Sequence, residues 1–75
     1  MSSAKVDLYD RGWMAKARIL CGMNNNQAAE ACDISPGFYN RIENGVQLPN
    51  VKVGLKICRV LGVSPDNWLS EKKIS

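Results

Sequence analysis

The sequence predicts an all-α fold of five short helices in a compact bundle, and three observations carry that reading. Apolar residues recur at three- and four-residue spacing along most of the chain, and no alternating run marks a strand. Helix starts and stops punctuate it closely, at Asn24, Ser35-Pro36, Asn44-Gly45, Gly62 and Ser64-Pro65-Asp66. The chain has 75 residues, 45% of them hydrophobic, enough for one small domain with a core. A domain of this size buries only ~60% of its unfolded surface. Its stability is therefore modest, and pairing with a second copy would help it.

The first helix is expected over about residues 7–21. Met14, Ala17, Arg18 and Cys21 share one face, and Trp13 and Leu20 form a second apolar stripe with Leu8 and Tyr9 upstream. That extra stripe packs the N-terminal segment back on the domain or meets another subunit; the former is favoured. The second helix starts at the Asn24 cap, with Gln27 placed to reach back as its capping-box partner. Ala28, Ala29 and Ala31 are strong helix formers, and the small Ala29 lets another helix come close. Asp33 breaks the pattern, and Ile34 is the one large apolar residue of the turn. Ser35 caps the third helix, Pro36 sits where a missing N–H costs nothing, and Asn44-Gly45 supplies a left-handed exit. Two helices joined by so short a turn cross steeply, and the second can project into a DNA major groove.

A loop at 46–50 leads into a fourth helix from about Val51 to the stop at Gly62. Gly54 weakens that helix by ~1 kcal/mol relative to alanine, which points to a close helix contact there. Ser64-Pro65-Asp66 opens a short fifth helix through Trp68 and Leu69. Residues 1–6 and 71–75 read as flexible ends of a single domain.

Composition excludes several function classes. Three cysteines are widely spaced without a CxxC pair, and there is no histidine, so no metal site is expected and the thiols read as buried and free in a reducing cytoplasm. No nucleophile–base constellation, paired carboxylates or phosphate-cradling glycine loop is present, which excludes an enzyme and any cofactor. The apolar runs are too short to cross a membrane. Net charge is +3, compatible with a polyanion partner. Yet residues 24–50 hold Arg41 alone against Glu30, Asp33 and Glu43, so any DNA binding should depend only shallowly on salt.

The chain resembles the phage lambda-repressor/Cro-type, or XRE-type, helix-turn-helix proteins over about residues 7–70. The residues that carry the likeness are Arg18-Ile-Leu-Cys-Gly22, Ala29-Glu30, Ile34-Ser35-Pro36, Arg41-Ile-Glu-Asn-Gly45, Pro49, Leu61-Gly-Val-Ser-Pro-Asp66 and Trp68-Leu69. The Arg-Ile-Glu-Asn-Gly string is weak alone; its place after a helix-turn-helix and before Leu-Gly-Val-Ser-Pro-Asp makes it specific. The resemblance implies a lambda-repressor-like bundle with its helix-turn-helix at about 24–44. It implies a Cro-like homodimer on palindromic double-stranded operator DNA, in a prokaryotic or phage-infected cytoplasm, with no small-molecule ligand.

Residue roles follow the same resemblance. Asn25 falls where the family grips a phosphate, with Asn26 and Gln27 in support. Ser35, Pro36 and Gly37 open the reading helix, but neither Pro36 nor Gly37 has a side-chain donor, so Asn40 and Arg41 become the base readers, on adenine and guanine. Gly37 allows close approach of backbone to DNA. Phe38 lies either against a sugar or thymine methyl or against the fourth helix, while Tyr39 faces the core. Asn44 and Gly45 offer backbone N–H groups to a phosphate, continued by Gln47 and Asn50. Arg18 and Glu43 match a family salt bridge. Val46, Leu48, Val63 and Trp68 form either a dimer surface or ordinary core closure. The rival reading is an antitoxin or anti-repressor that chiefly binds a protein, favoured by the net-negative window and the Val46/Leu48 patch.

Overall fold

The computed structural model describes residues 9–71. Five helices follow in order: α1 (Gly12–Leu20), α2 (Asn25–Ala31), α3 (Pro36–Glu43), α4 (Val51–Leu61) and α5 (Asp66–Leu69). α2 packs on α3, and α1 packs on both α3 and α4. No strand is present among the described residues. The expected start of the first helix near residue 7, the place of Leu8 and the flexible ends at 1–6 and 72–75 lie outside the described residues. Within them α1 begins five residues later than its apolar pattern suggested, because Tyr9 is extended: its N–H donates to the Gly45 carbonyl at 3.1 Å.

Local chemistry accounts for each helix end. Asn24 and Gln27 form the full capping box, the Asn24 side chain accepting from Gln27 N–H at 2.8 Å and the Gln27 side chain from Asn24 N–H at 2.9 Å. Ser35 Oγ accepts from Phe38 N–H and Asn50 Oδ1 from Val53 N–H. At the other ends, α1, α2, α3 and α4 finish alike. A residue in the left-handed region follows the last turn, and the next N–H reaches back to a carbonyl five residues earlier: Met23 to Arg18, Ile34 to Ala29, Val46 to Arg41 and Val63 to Cys58. Glycine holds three of these positions; Asp33, at φ 61°, holds the exit of α2. Asp tolerates that conformation better than most residues, though it still strains the backbone. Gly45 has a further reason to be glycine. A Cβ there would overlap the Tyr9 backbone, so this close approach closes the N-terminal segment onto the end of α3.

The core collects Met14, Ala28, Ala29, Tyr39, Ile42 and Ile57, all fully buried, with Ala17, Cys32 and Leu61 beside them. The alanines on α2 let α3 approach closely, as their size predicted. Burial pushes the Cys32 and Cys58 thiols upward, so both stay protonated. Cys21 departs from the expectation and is exposed. The second stripe of α1 divides: Trp13 turns inward, while Leu20 is left 81% exposed.

Trp68 closes the lower side. Its indole N–H donates to the Gly54 carbonyl at 3.0 Å, and a Cβ on Gly54 would stand 3.4 Å from that nitrogen. Gly54 therefore sits in contact with the tryptophan of α5, as its place in α4 suggested, although a lone Cβ there would still meet the indole at ordinary van der Waals distance. Trp13 meets Trp68 edge to face, centroids 4.8 Å apart.

The largest correction concerns Arg11 and Glu71. Arg11 is 2% exposed. Its guanidinium forms a two-pronged ion pair with the Glu71 carboxylate and donates to the Ile42 carbonyl at 2.6 Å and the Gln47 carbonyl at 2.8 Å. It lies 4.9 Å from the Trp68 ring and 5.3 Å from that of Tyr9. Glu71 also accepts from the Trp13 indole at 3.1 Å. Residue 71 is thus anchored rather than part of a frayed tail, because a buried arginine requires its charge there. Glu71→Ala should cost about 3 kcal/mol, the effect of leaving a buried charge unpaired. Thermal melts check this; an unchanged Tm would return Glu71 to the tail.

Candidate nucleic-acid interface

The helix-turn-helix runs through α2, the four residues 32–35 and α3. α3 has two unlike sides. Tyr39 and Ile42 are fully buried against α2 and the core, whereas Ser35, Pro36, Gly37, Asn40, Arg41 and Asn44 are exposed. The spacing of the buried pair leaves the polar residues together on the opposite face.

Glu43 fixes how that face is turned. Its Oε2 accepts from Arg18 Nε at 2.9 Å and from the Tyr39 hydroxyl at 3.4 Å; its Oε1 accepts from Asn25 Nδ2 at 2.8 Å. Side chains from α1, α2 and α3 thus meet on one carboxylate. Arg18 also donates to the Met23 carbonyl at 3.0 Å, which ties in the turn before α2. The hydrogen bond that Arg18 donates to Glu43 raises the Arg18 pKa further. Burial, reinforced by the Glu43 charge, lifts the Tyr39 hydroxyl far above its ordinary range, so it remains a neutral donor. The Arg18–Glu43 pair is present as the family likeness implied. Asn25 in this cluster was not expected; its side-chain amide donates one of its two hydrogens to Glu43.

The remaining candidates fall in distinct places. Asn26, on the first turn of α2, is exposed beside the opening of α3. Phe38 is half-buried, packed against the core. Gln47 is held by its carbonyl to Arg11, and the Asn50 side chain is spent on capping α4. The backbone N–H of Asn44 closes onto the Asn40 carbonyl and that of Gly45 onto the Ile42 carbonyl. Gly45 is buried. Neither N–H is therefore open to a phosphate, a correction to the sequence reading, and the exposed Asn44 side chain is what remains there. The suggested dimer surface also divides. Val63 and Trp68 pack on the chain's own core, while Val46 and Leu48 are exposed. Leu48 joins Val51, Leu55 and Leu69 around a groove of about 360 Å³ between α4 and α5, an apolar surface the sequence did not single out.

No group of three metal-ligating side chains comes together among the described residues, and no helix among them is long and apolar enough to cross a membrane.

A helix-turn-helix family model matches residues 14–68. An uncharacterized HTH-type transcriptional regulator of Bacillus subtilis, YqaF, is 38% identical over 52 residues, spanning 69% of this chain and 68% of the relative. Among solved structures, the clp gene regulator ClgR from C. glutamicum superposes with a TM-score of 0.64 at 27% identity, over 75% of this chain and 73% of that one.

Removing either partner of the Arg18–Glu43 bridge should be felt in stability. Both side chains are largely shielded, at 14% and 8% exposure. Arg18→Ala and Glu43→Ala should each cost about 3 kcal/mol, lowering Tm by about 10 °C or more. A variant that keeps the parent Tm would remove the bridge from its structural role. Matched by family model, relative and fold alike, the chain belongs to the lambda-repressor-like, XRE-type helix-turn-helix family of transcriptional regulators.

Proposed function

We propose that this chain is a sequence-specific double-stranded-DNA-binding regulator, a Cro-like repressor that acts by occupying an operator. One observation carries the reading: α3 leaves Asn40 and Arg41 exposed on the face turned away from the core, with Ser35, Pro36, Gly37 and Asn44 around them. Asn40 and Arg41 read base edges. The Asn25, Asn26 and Asn44 side chains position the helix on phosphates. Ser35, the cap of α3, and Gln47, in the loop after it, add polar groups beyond the two ends of the helix. The likeness to the regulators YqaF and ClgR supports a regulatory role. Bound protein would block polymerase sterically, in the cytoplasm of the cell that carries the operator.

An eight-residue reading helix spans only a few base pairs, so specificity calls for two copies on a palindrome. The exposed Leu48, Val51, Leu55 and Leu69 supply an apolar surface for a second copy. The chain therefore pairs through the loop after α3 and through α4 and α5, with Val63 and Trp68 supporting that surface from beneath. The same apolar groove, with a reading window whose remaining charges include Glu30 and Asp33, favours a second reading: an antitoxin or anti-repressor that chiefly binds a protein.

Selection of bound duplexes from random DNA decides between them. A repressor enriches a palindrome with half-site centres about 10 base pairs apart. Sedimentation of the same protein on that duplex shows two chains bound. Failure to enrich any sequence overturns the DNA-reading proposal in favour of a protein partner, and a single bound chain overturns the dimer.

A further inference from the structure

α3 opens with two residues that carry no side-chain donor, Pro36 and Gly37. Arg41 stands four residues beyond Gly37, on the same face one turn later. Long side chains on a helix lean back toward its N-terminus. Arg41 does so here: a Cβ built on Gly37 would lie 3.6 Å from Arg41 Nη1. The guanidinium thus covers the ground that a side chain at 37 would take. Among the described residues it has no carboxylate in ion-pair range. Glu43, the acid nearest in sequence, is committed to Arg18, Asn25 and Tyr39.

We propose that Gly37 and Arg41 form one reading unit. Gly37 leaves the first turn of α3 bare, and Arg41 folds over it to present its guanidinium to the base step beneath that turn. The proposal rests on α3 being the helix that enters the major groove. The ligand is the Hoogsteen edge of a guanine, whose O6 and N7 accept two parallel N–H donors in the fork a guanidinium provides. An ammonium can reach O6 and N7 but lacks the planar fork, so lysine at 41 holds that edge less well. Gly37 is a positioning residue: it touches no base, yet it sets which step Arg41 reads. A lone Cβ at 37 is compatible with Arg41 at ordinary van der Waals distance, whereas a glutamine side chain would contest the same space.

The test compares the full chain with Gly37→Ala, Gly37→Gln and Arg41→Lys. Each is measured on the parent's selected duplex and on every single-base change of it. Residues 37 and 41 are exposed, so none of the three variants should lower the parent Tm, and the two that replace a helix glycine should raise it slightly. Arg41→Lys should lose guanine preference about tenfold or more at one position per half-site. Gly37→Gln should lose it at that same position and keep the rest of the profile, while Gly37→Ala retains the parent profile throughout. Gly37→Gln with an unaltered profile would overturn the proposal, as would Arg41→Lys weakening every duplex equally. A parent chain that distinguishes no duplex would overturn the DNA-reading role itself, and this proposal with it.

Discussion

Glu43 is the constraint on which the arrangement of the helix-turn-helix depends. An acid in the last turn of a helix is placed against the helix dipole. Here that unfavourable position is offset by donors from Arg18, Asn25 and Tyr39. Each donor belongs to a different helix, so the carboxylate can be satisfied only when α1, α2 and α3 hold one mutual orientation. The apolar contacts beneath, Ala28 and Ala29 against Tyr39 and Ile42, drive the helices together but tolerate sliding. The hydrogen-bonded acid does not, because a buried carboxylate left short of donors is costly.

A second grip acts just beyond it. Arg11 holds the Ile42 carbonyl and the Gln47 carbonyl, while the extended Tyr9 backbone lies against Gly45. The C-terminal end of α3 is therefore fastened on both sides, and its N-terminal end is left open behind the Ser35 cap. This asymmetry suits a reading helix. Its exposed face, with Gly37, Asn40 and Arg41, approaches a partner without giving up any contact that holds the domain together. The apparent acidity of the sequence around α3 is also reduced, since the Glu43 charge is paired with Arg18 within the fold.

Much of this was legible in the sequence because it is encoded locally. The capping box at Asn24 and Gln27, the Ser35-Pro36 start and the glycine exits each lie within six residues of the groups they satisfy. Gly54 signalled a close contact by its cost, although only the structure shows that Trp68 fills it. The Arg18–Glu43 bridge spans 25 residues and was accessible through family likeness rather than through spacing. Arg11–Glu71 spans 60, and nothing in the residues between reports it. A basic residue between Tyr9 and Trp13 reads as solvent-facing until the rings of Tyr9 and the distant Trp68 are seen to flank it. The same limit explains Val63 and Trp68, whose apolar character suits a core or an interface equally well. Asn44-Gly45 misled for the opposite reason: the local signal for a helix exit was correct, and that exit consumes the very N–H groups assigned to DNA.

Amide chemical shifts of the labelled chain during titration with its selected duplex test the central claim most directly. The account predicts the largest changes at Asn25, Asn26, Gly37, Asn40, Arg41 and Asn44, with the amides of Met14 and Ile57 in the core unmoved. Changes confined to Leu48, Val51, Leu55 and Leu69, with α3 silent, would contradict it and place the working surface of this protein at the α4–α5 groove.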